Sequence, residues 1–173
     1  MSIREETTEI LASLRGVWDE EAVDELDHAL QSAAHAIADR ADDELVLAAA
    51  LHDIGHSPLL AGTSAAHDRV AREWLTPRFG PRVGWLAGAH VAAKRFLAAT
   101  EPGYAGVLSP VSVASLREQG GAAADPAFTA NPWWPDAVRL RRYDDAAKDP
   151  SARGVEFATV IALADRVAAR LAR

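Results

Sequence analysis

A chain of 173 residues with 49% apolar content is long enough for one domain with a sizeable core and too short for two, so a single domain over 1–173 is expected. Cysteine is absent, which excludes a disulfide framework and any thiolate site and leaves nitrogen and oxygen donors for a metal. A net charge of −7 argues against a nucleic-acid backbone as partner, and against that acidic background Lys94-Arg95 and Arg139 to Arg142 stand out as basic clusters.

Alanine, leucine, arginine and glutamate dominate while strand-forming residues rarely alternate, so the chain reads as all-α, a bundle of six to eight helices. The start, Met1 to Glu6, lacks the basic-then-apolar pattern of an export signal, and no apolar run approaches a membrane span. A cytoplasmic protein without membrane contact is therefore expected. A first helix is predicted over 3–14, stopping at Gly16, and a second over about 21–39, with Val23, Leu26, Leu30, Ala34 and Ile37 as its buried stripe. His28 and His35, seven apart, share another face of it. Asp42-Asp43 caps a third helix whose residues 44–51 are apolar almost all round, which implies burial on every side.

Ser57-Pro58 breaks the path before a helix over about 65–75 that carries His67, and Pro77, Gly80 and Pro81 punctuate again. The next helix, about 82–99, puts His90 and Lys94 one turn apart on one side. Ser109-Pro110 has the form of an N-cap followed by proline, opening a helix that ends at Gly120-Gly121. Residues 122–135 read as loop or a single turn, and helices over about 135–147 and 155–172 close the chain.

The chemistry centres on Leu51-His52-Asp53-Ile54-Gly55-His56. Adjacent His and Asp side chains reach one point only where the backbone is about to turn, and Gly55 permits that turn. Asp53 can bridge two cations through its two oxygens while His52 supplies nitrogen to one, which is the geometry of a dinuclear centre. An isolated His-Asp pair can equally be a helix cap, and a lone histidine on a helix is more often a hydrogen-bonded core or surface residue. The set changes that balance: His28, His52, Asp53, His67, His90 and a carboxylate near 144 come from different helices and together form a nitrogen and oxygen set for two first-row metals.

The order His28, then His52-Asp53, then a late aspartate resembles the HD-domain superfamily of metal-dependent phosphohydrolases. With His90-Val91-Ala92-Ala93-Lys94-Arg95, Leu108-Ser109, Ser115 to Gly121 and Leu140 to Lys148, positions 18–148 resemble more narrowly its mixed-valent diiron oxygenases. They are similar to the branch that turns 2-amino-1-hydroxyethylphosphonate into glycine and phosphate. The resemblance implies two iron ions, Fe(II) and Fe(III), with O2 as co-substrate, and cleavage of the C–P bond of a small 1-hydroxyphosphonate, amino-bearing or N-methylated. It implies His28, His52, Asp53 and Asp144 as ligands of one iron and Asp53, His67 and His90 of the other. Asp144 takes precedence over Asp145 because it stands four residues ahead of Lys148.

For the phosphonate the resemblance implies His56, Lys94, Ser112 and Arg141, of which His56 and Lys94 also serve catalysis, with Ser115 and Gln119 as further contacts. Glu21 falls where this branch recognises the substrate amine. Trp18 falls where it places an iron-ligating tyrosine, a role indole cannot fill, although an aromatic face can receive a quaternary ammonium. Arg95 and Arg142 read as structural ion-pair partners and His35 as a surface group. The expected partner is a small organophosphonate, and the chain a monomer or homodimer. The alternative is an HD-type phosphohydrolase acting on a nucleotide or phosphate monoester, with hydroxide made at the same metals.

Overall fold

A computed structural model describes residues 1–19, 22–60 and 66–172. Eight helices longer than one turn lie among them: α1 Ile3–Ser13, α2 Glu25–Ala38, α3 Asp43–Leu51, α4 His67–Phe79, α5 Pro81–Thr100, α7 Pro110–Glu118, α9 Trp134–Ala146 and α10 Phe157–Leu171. Two single turns, α6 Tyr104–Val107 and α8 Pro126–Thr129, and a 3-10 turn at Ile54–His56 complete the set. No described helix is long and apolar enough to cross a membrane.

The caps decide where these helices begin. Asp42 accepts a hydrogen bond from Leu45 N and Ser109 from Ser112 N, each satisfying an amide that has no partner within its helix. At α1 Ser2 and Glu5 form a reciprocal capping box. Asp24, bonded to Asp27 N, starts α2 at Glu25 rather than near 21 as the sequence suggests. α4 runs past Pro77 to the fully buried Phe79 and ends at Gly80, whose φ of 93° suits glycine, so Pro77 is not the stop it resembles.

α3 is the centre of the bundle, every residue from Leu45 to Leu51 being buried. α2, α5 and α9 pack on it along with α10, whose Val160, Ile161, Leu163, Ala164 and Val167 form one buried stripe. α2 is turned from the stripe predicted for it: Leu30 and Ala34 are only half-buried and Ile37 is exposed, while Leu26, Ala29, Ala33 and Ala36 face inward. The small alanines let α2 approach its neighbours closely, and the same rotation drives His28 into the interior. His35 is exposed, as expected of a surface group.

Arg82, at the start of α5, ties three helices by donating to Asp42, Glu44 and Asp136 at 2.8–2.9 Å. Arg82→Ala leaves those carboxylates facing one another. It is expected to cost about 1–2 kcal/mol, discounted for partial exposure, and to lower Tm by about 3–6 °C in a thermal melt.

Candidate metal centre

α3 ends at Leu51; His52 caps it with helical backbone angles and Asp53 sits at φ −101°, ψ 13° before the 3-10 turn. That break at Asp53 brings the two adjacent side chains to one point. Gly55 matters for a different reason from the one its sequence position suggests. Its φ is not positive, but a Cβ there would stand 2.1 Å from the carbonyl oxygen of His67. The absent side chain lets the start of α4 lie against the 3-10 turn, which is what carries His67 to Asp53.

The two oxygens of Asp53 face two separate groups of donors. Oδ2 lies 3.4 Å from His28 Nε2 and 3.1 Å from His52 Nε2, and each of these imidazoles is 3.5 Å from an oxygen of Asp144. Oδ1 lies 3.3 Å from Nε2 of both His67 and His90, which are 2.9 Å from each other. A cation with bonds of about 2.1 Å holds neighbouring donors about 3.0–3.4 Å apart, so both groups are spaced to receive one.

The surroundings select the ligand atoms. Nδ1 of His28 donates to the carbonyl of Ala147 at 2.9 Å, that of His52 to Ala49 at 2.8 Å and that of His90 to Ala87 at 2.6 Å, turning each Nε2 toward the centre. Ala147 is held in place by the 147–155 segment, which Gln31 ties to α2 through Asp149 and which lets Gly154 lie on Leu30. Asp53 Oδ1 is buried and has no hydrogen-bond partner among the described residues, a state that a cation beside His67 and His90 would relieve. The donor set fits a pair of metal ions.

The charges in the metal-free protein agree. Burial opposes ionisation of Asp53, but His52 and His28 outweigh it and hold the carboxyl well below its ordinary range. Burial likewise opposes a charge on His52, and Asp53 with Asp144 raise it well above an ordinary imidazole. Burial lowers His90, which stays neutral and available as a ligand. Arg141 donates to Asp144 at 2.6 Å and also to Asp145 and Tyr104, so its guanidinium orients the Asp144 carboxylate.

A cavity of about 200 Å³ opens on the Asp53 side and is lined by His56, Lys94, Ser112, Ser115, Gln119 and Arg141 among others. All six substrate contacts implied for this region therefore meet at one place. Lys94 donates to Ser115, Lys148 to Ser112, and burial followed by repulsion from Arg141 lowers Lys94 to about 8. His56 stacks on His67 at 4.3 Å, with Nε2 4.0 Å from Asp53 Oδ1 and 3.5 Å from Asp19.

Trp18 departs from expectation: it is 64% exposed and does not line the cavity. Glu21 lies outside the described residues. Arg95 bonds the carbonyl of Gly121 and Arg142 pairs with Glu101, in keeping with structural roles. Asp19, Glu118 and Glu25 escape the sequence reading. The first two line the cavity, and the third had one available signal, its place one turn before His28.

The HD domain family profile matches residues 26–118, a span that stops short of Asp144. The chain is 38% identical over 140 residues to the hydroxymethylphosphonate dioxygenase of Gimesia maris, covering 75% of this chain and 70% of that one. The chain belongs to the HD-domain phosphonate dioxygenase family. A second relative in this family, the [1-hydroxy-2-(trimethylamino)ethyl]phosphonate dioxygenase (glycine-betaine-forming) of Leisingera caerulea, is 34% identical over 138 residues, 74% of this chain and 70% of that one. Membership of the phosphonate dioxygenase family makes the chain an oxygenase.

Gly55→Ala tests the close approach to α4. It is expected to cost about 1–3 kcal/mol by overpacking. It should also weaken any metal binding beside His67 and His90 about 10- to 100-fold and leave binding among His28, His52 and Asp144 intact, read as metal per chain after dialysis.

Proposed function

We propose that the chain uses O2 to cleave the C–P bond of a small 1-hydroxyphosphonate, giving phosphate and a carboxylic acid, at an Fe(II)/Fe(III) pair. The observation that carries this is Asp53, one carboxylate whose two oxygens each face a separate group of imidazoles. When bound, the iron pair supplies the redox chemistry. In this reading His28, His52, Asp53 and Asp144 hold one ion, and Asp53, His67 and His90 the other.

The remaining residues bind and orient. Lys94 and Ser112, with Arg141 behind them, give the phosphonate a positively charged and hydrogen-bonding end of the cavity in an otherwise acidic protein. His56, half-buried beside Asp53, would hold a proton of the substrate hydroxyl at Nε2. Asp19 and Glu118 line the same cavity and, among the described residues, pair with no lysine or arginine. They favour a substrate with a cationic substituent, 2-amino-1-hydroxyethylphosphonate or an N-methylated relative of it, over hydroxymethylphosphonate.

The test is to load the protein with iron without oxygen and then follow O2 uptake and phosphate release with these three kinds of compound. One O2 consumed per phosphate supports the reading. No O2 uptake with any of them contradicts it, and phosphate released from a nucleotide without oxygen supports the hydrolase instead. Asp19→Asn is expected to raise KM several-fold for the cationic compounds and to leave hydroxymethylphosphonate unchanged.

A further inference from the structure

Lys148, just past the end of α9, donates from Nζ to Ser112 Oγ at 2.9 Å. Ser112 is only 2% exposed and belongs to the walls of two cavities, the one beside Asp53 and a second of about 140 Å³. Lys148 lines the second and not the first. The ammonium therefore meets Ser112 from outside the cavity that holds the metal donors.

An ammonium carries three donors and no acceptor, so Ser112 Oγ receives this bond and its own proton has to point elsewhere. No acceptor takes that proton among the described residues. Ser115, one turn further along α7, is arranged differently. Its Oγ also receives a lysine, Lys94, but it gives its own proton to the carbonyl of Ser112 at 3.2 Å. Of these two serines on the cavity wall, Ser112 is the one left with a donor to offer a ligand. A hydroxyl whose oxygen is already engaged by a cation is also a stronger donor.

We propose that Lys148 is a positioning residue that holds Ser112 as a fixed donor toward the cavity beside Asp53, so that this point of the wall receives an anionic oxygen and disfavours a group that can only donate. The proposal deepens the reading of Ser112 as a phosphonate contact and rests on it. Its consequence is orientation. A substrate with a phosphonate at one end and an ammonium at the other is accepted in one sense only, phosphonate toward Ser112.

The test is a double-mutant cycle on iron-loaded wild type, Lys148→Met, Ser112→Ala and the double variant. Kd for 2-amino-1-hydroxyethylphosphonate and for hydroxymethylphosphonate is measured by calorimetry without oxygen, with iron content alongside. Lys148→Met is expected to keep its iron and to raise Kd about 10-fold. Ser112→Ala should raise Kd about 10-fold or more on its own, but no more than about 3-fold once residue 148 is Met, because an unheld hydroxyl no longer favours the anion. Effects that simply multiply in the double variant overturn the proposal, since a lysine acting only through its charge at a distance gives that result. An unchanged Kd in Lys148→Met overturns it too. So does loss of iron in that variant, which would make Lys148 a support for Asp144, 4.0 Å from its Nζ. Because binding is read without turnover, a wild type that binds these compounds and then consumes no O2 contradicts the proposed reaction and leaves the role of Lys148 standing. A wild type that binds neither removes both.

Discussion

On the proposed two-ion reading, Asp53→Asn is expected to weaken both metal sites at once and to lower kcat/KM by about a hundred- to a thousandfold or more. Each oxygen of Asp53 faces a different group of imidazoles, so an amide there loses the negative charge that both groups share and puts an NH2 in place of one of the two oxygens. His67→Ala should instead empty the second site alone, and metal analysis after dialysis distinguishes the two outcomes. The metal-free proteins differ in a second way. Asp53 is held well below its ordinary 3.8 and His52 well above its ordinary 6.5, burial opposing both shifts and the pairing outweighing it.

The pair therefore stabilises the metal-free fold fully between those two values. That stability fades as pH falls toward the lowered Asp53 pKa, where the carboxylate gains a proton. It also fades as pH rises through the raised His52 pKa, where the imidazole loses one. Asp53→Asn should flatten this profile, and Tm of the metal-free protein measured across pH shows whether it does.

Lys94→Met is expected to raise KM for the phosphonate about 10- to 100-fold, the worth of one or two charge-assisted hydrogen bonds, with a smaller effect on kcat. Lys94 is buried among Arg141, Lys148 and Ser115, so its ammonium is little screened by water. Its lowered pKa of about 8 adds a pH signature. The side chain is charged below that value and neutral above it, so wild-type KM should climb above pH 8. Lys94→Arg, which keeps its charge, should lose that rise while binding less well at neutral pH. An unchanged KM in Lys94→Met would remove this residue from the phosphonate end.

The helices were legible because alanine-rich amphipathic runs, Asp42 and Ser109 caps and the glycines at 80 and 120 mark them locally. The donor residues were legible through resemblance, since spacing alone does not say that His67 and His90 meet. What the sequence concealed depends on packing between distant segments. The rotation of α2 follows from how closely its alanines approach α3 and α9, which a periodicity cannot show. Gly55 resembles a turn residue, and only the nearness of His67 reveals that its missing side chain is what counts. Trp18 falls where the branch it resembles has a tyrosine, and only its exposed position in the fold shows that it does not share that role.

Anomalous diffraction at the iron edge from crystals of the iron-loaded protein tests the shared carboxylate directly. Two peaks are predicted, one among His28, His52 and Asp144 and one between His67 and His90, each against a different oxygen of Asp53. A single peak, or none beside His67 and His90, would contradict the account.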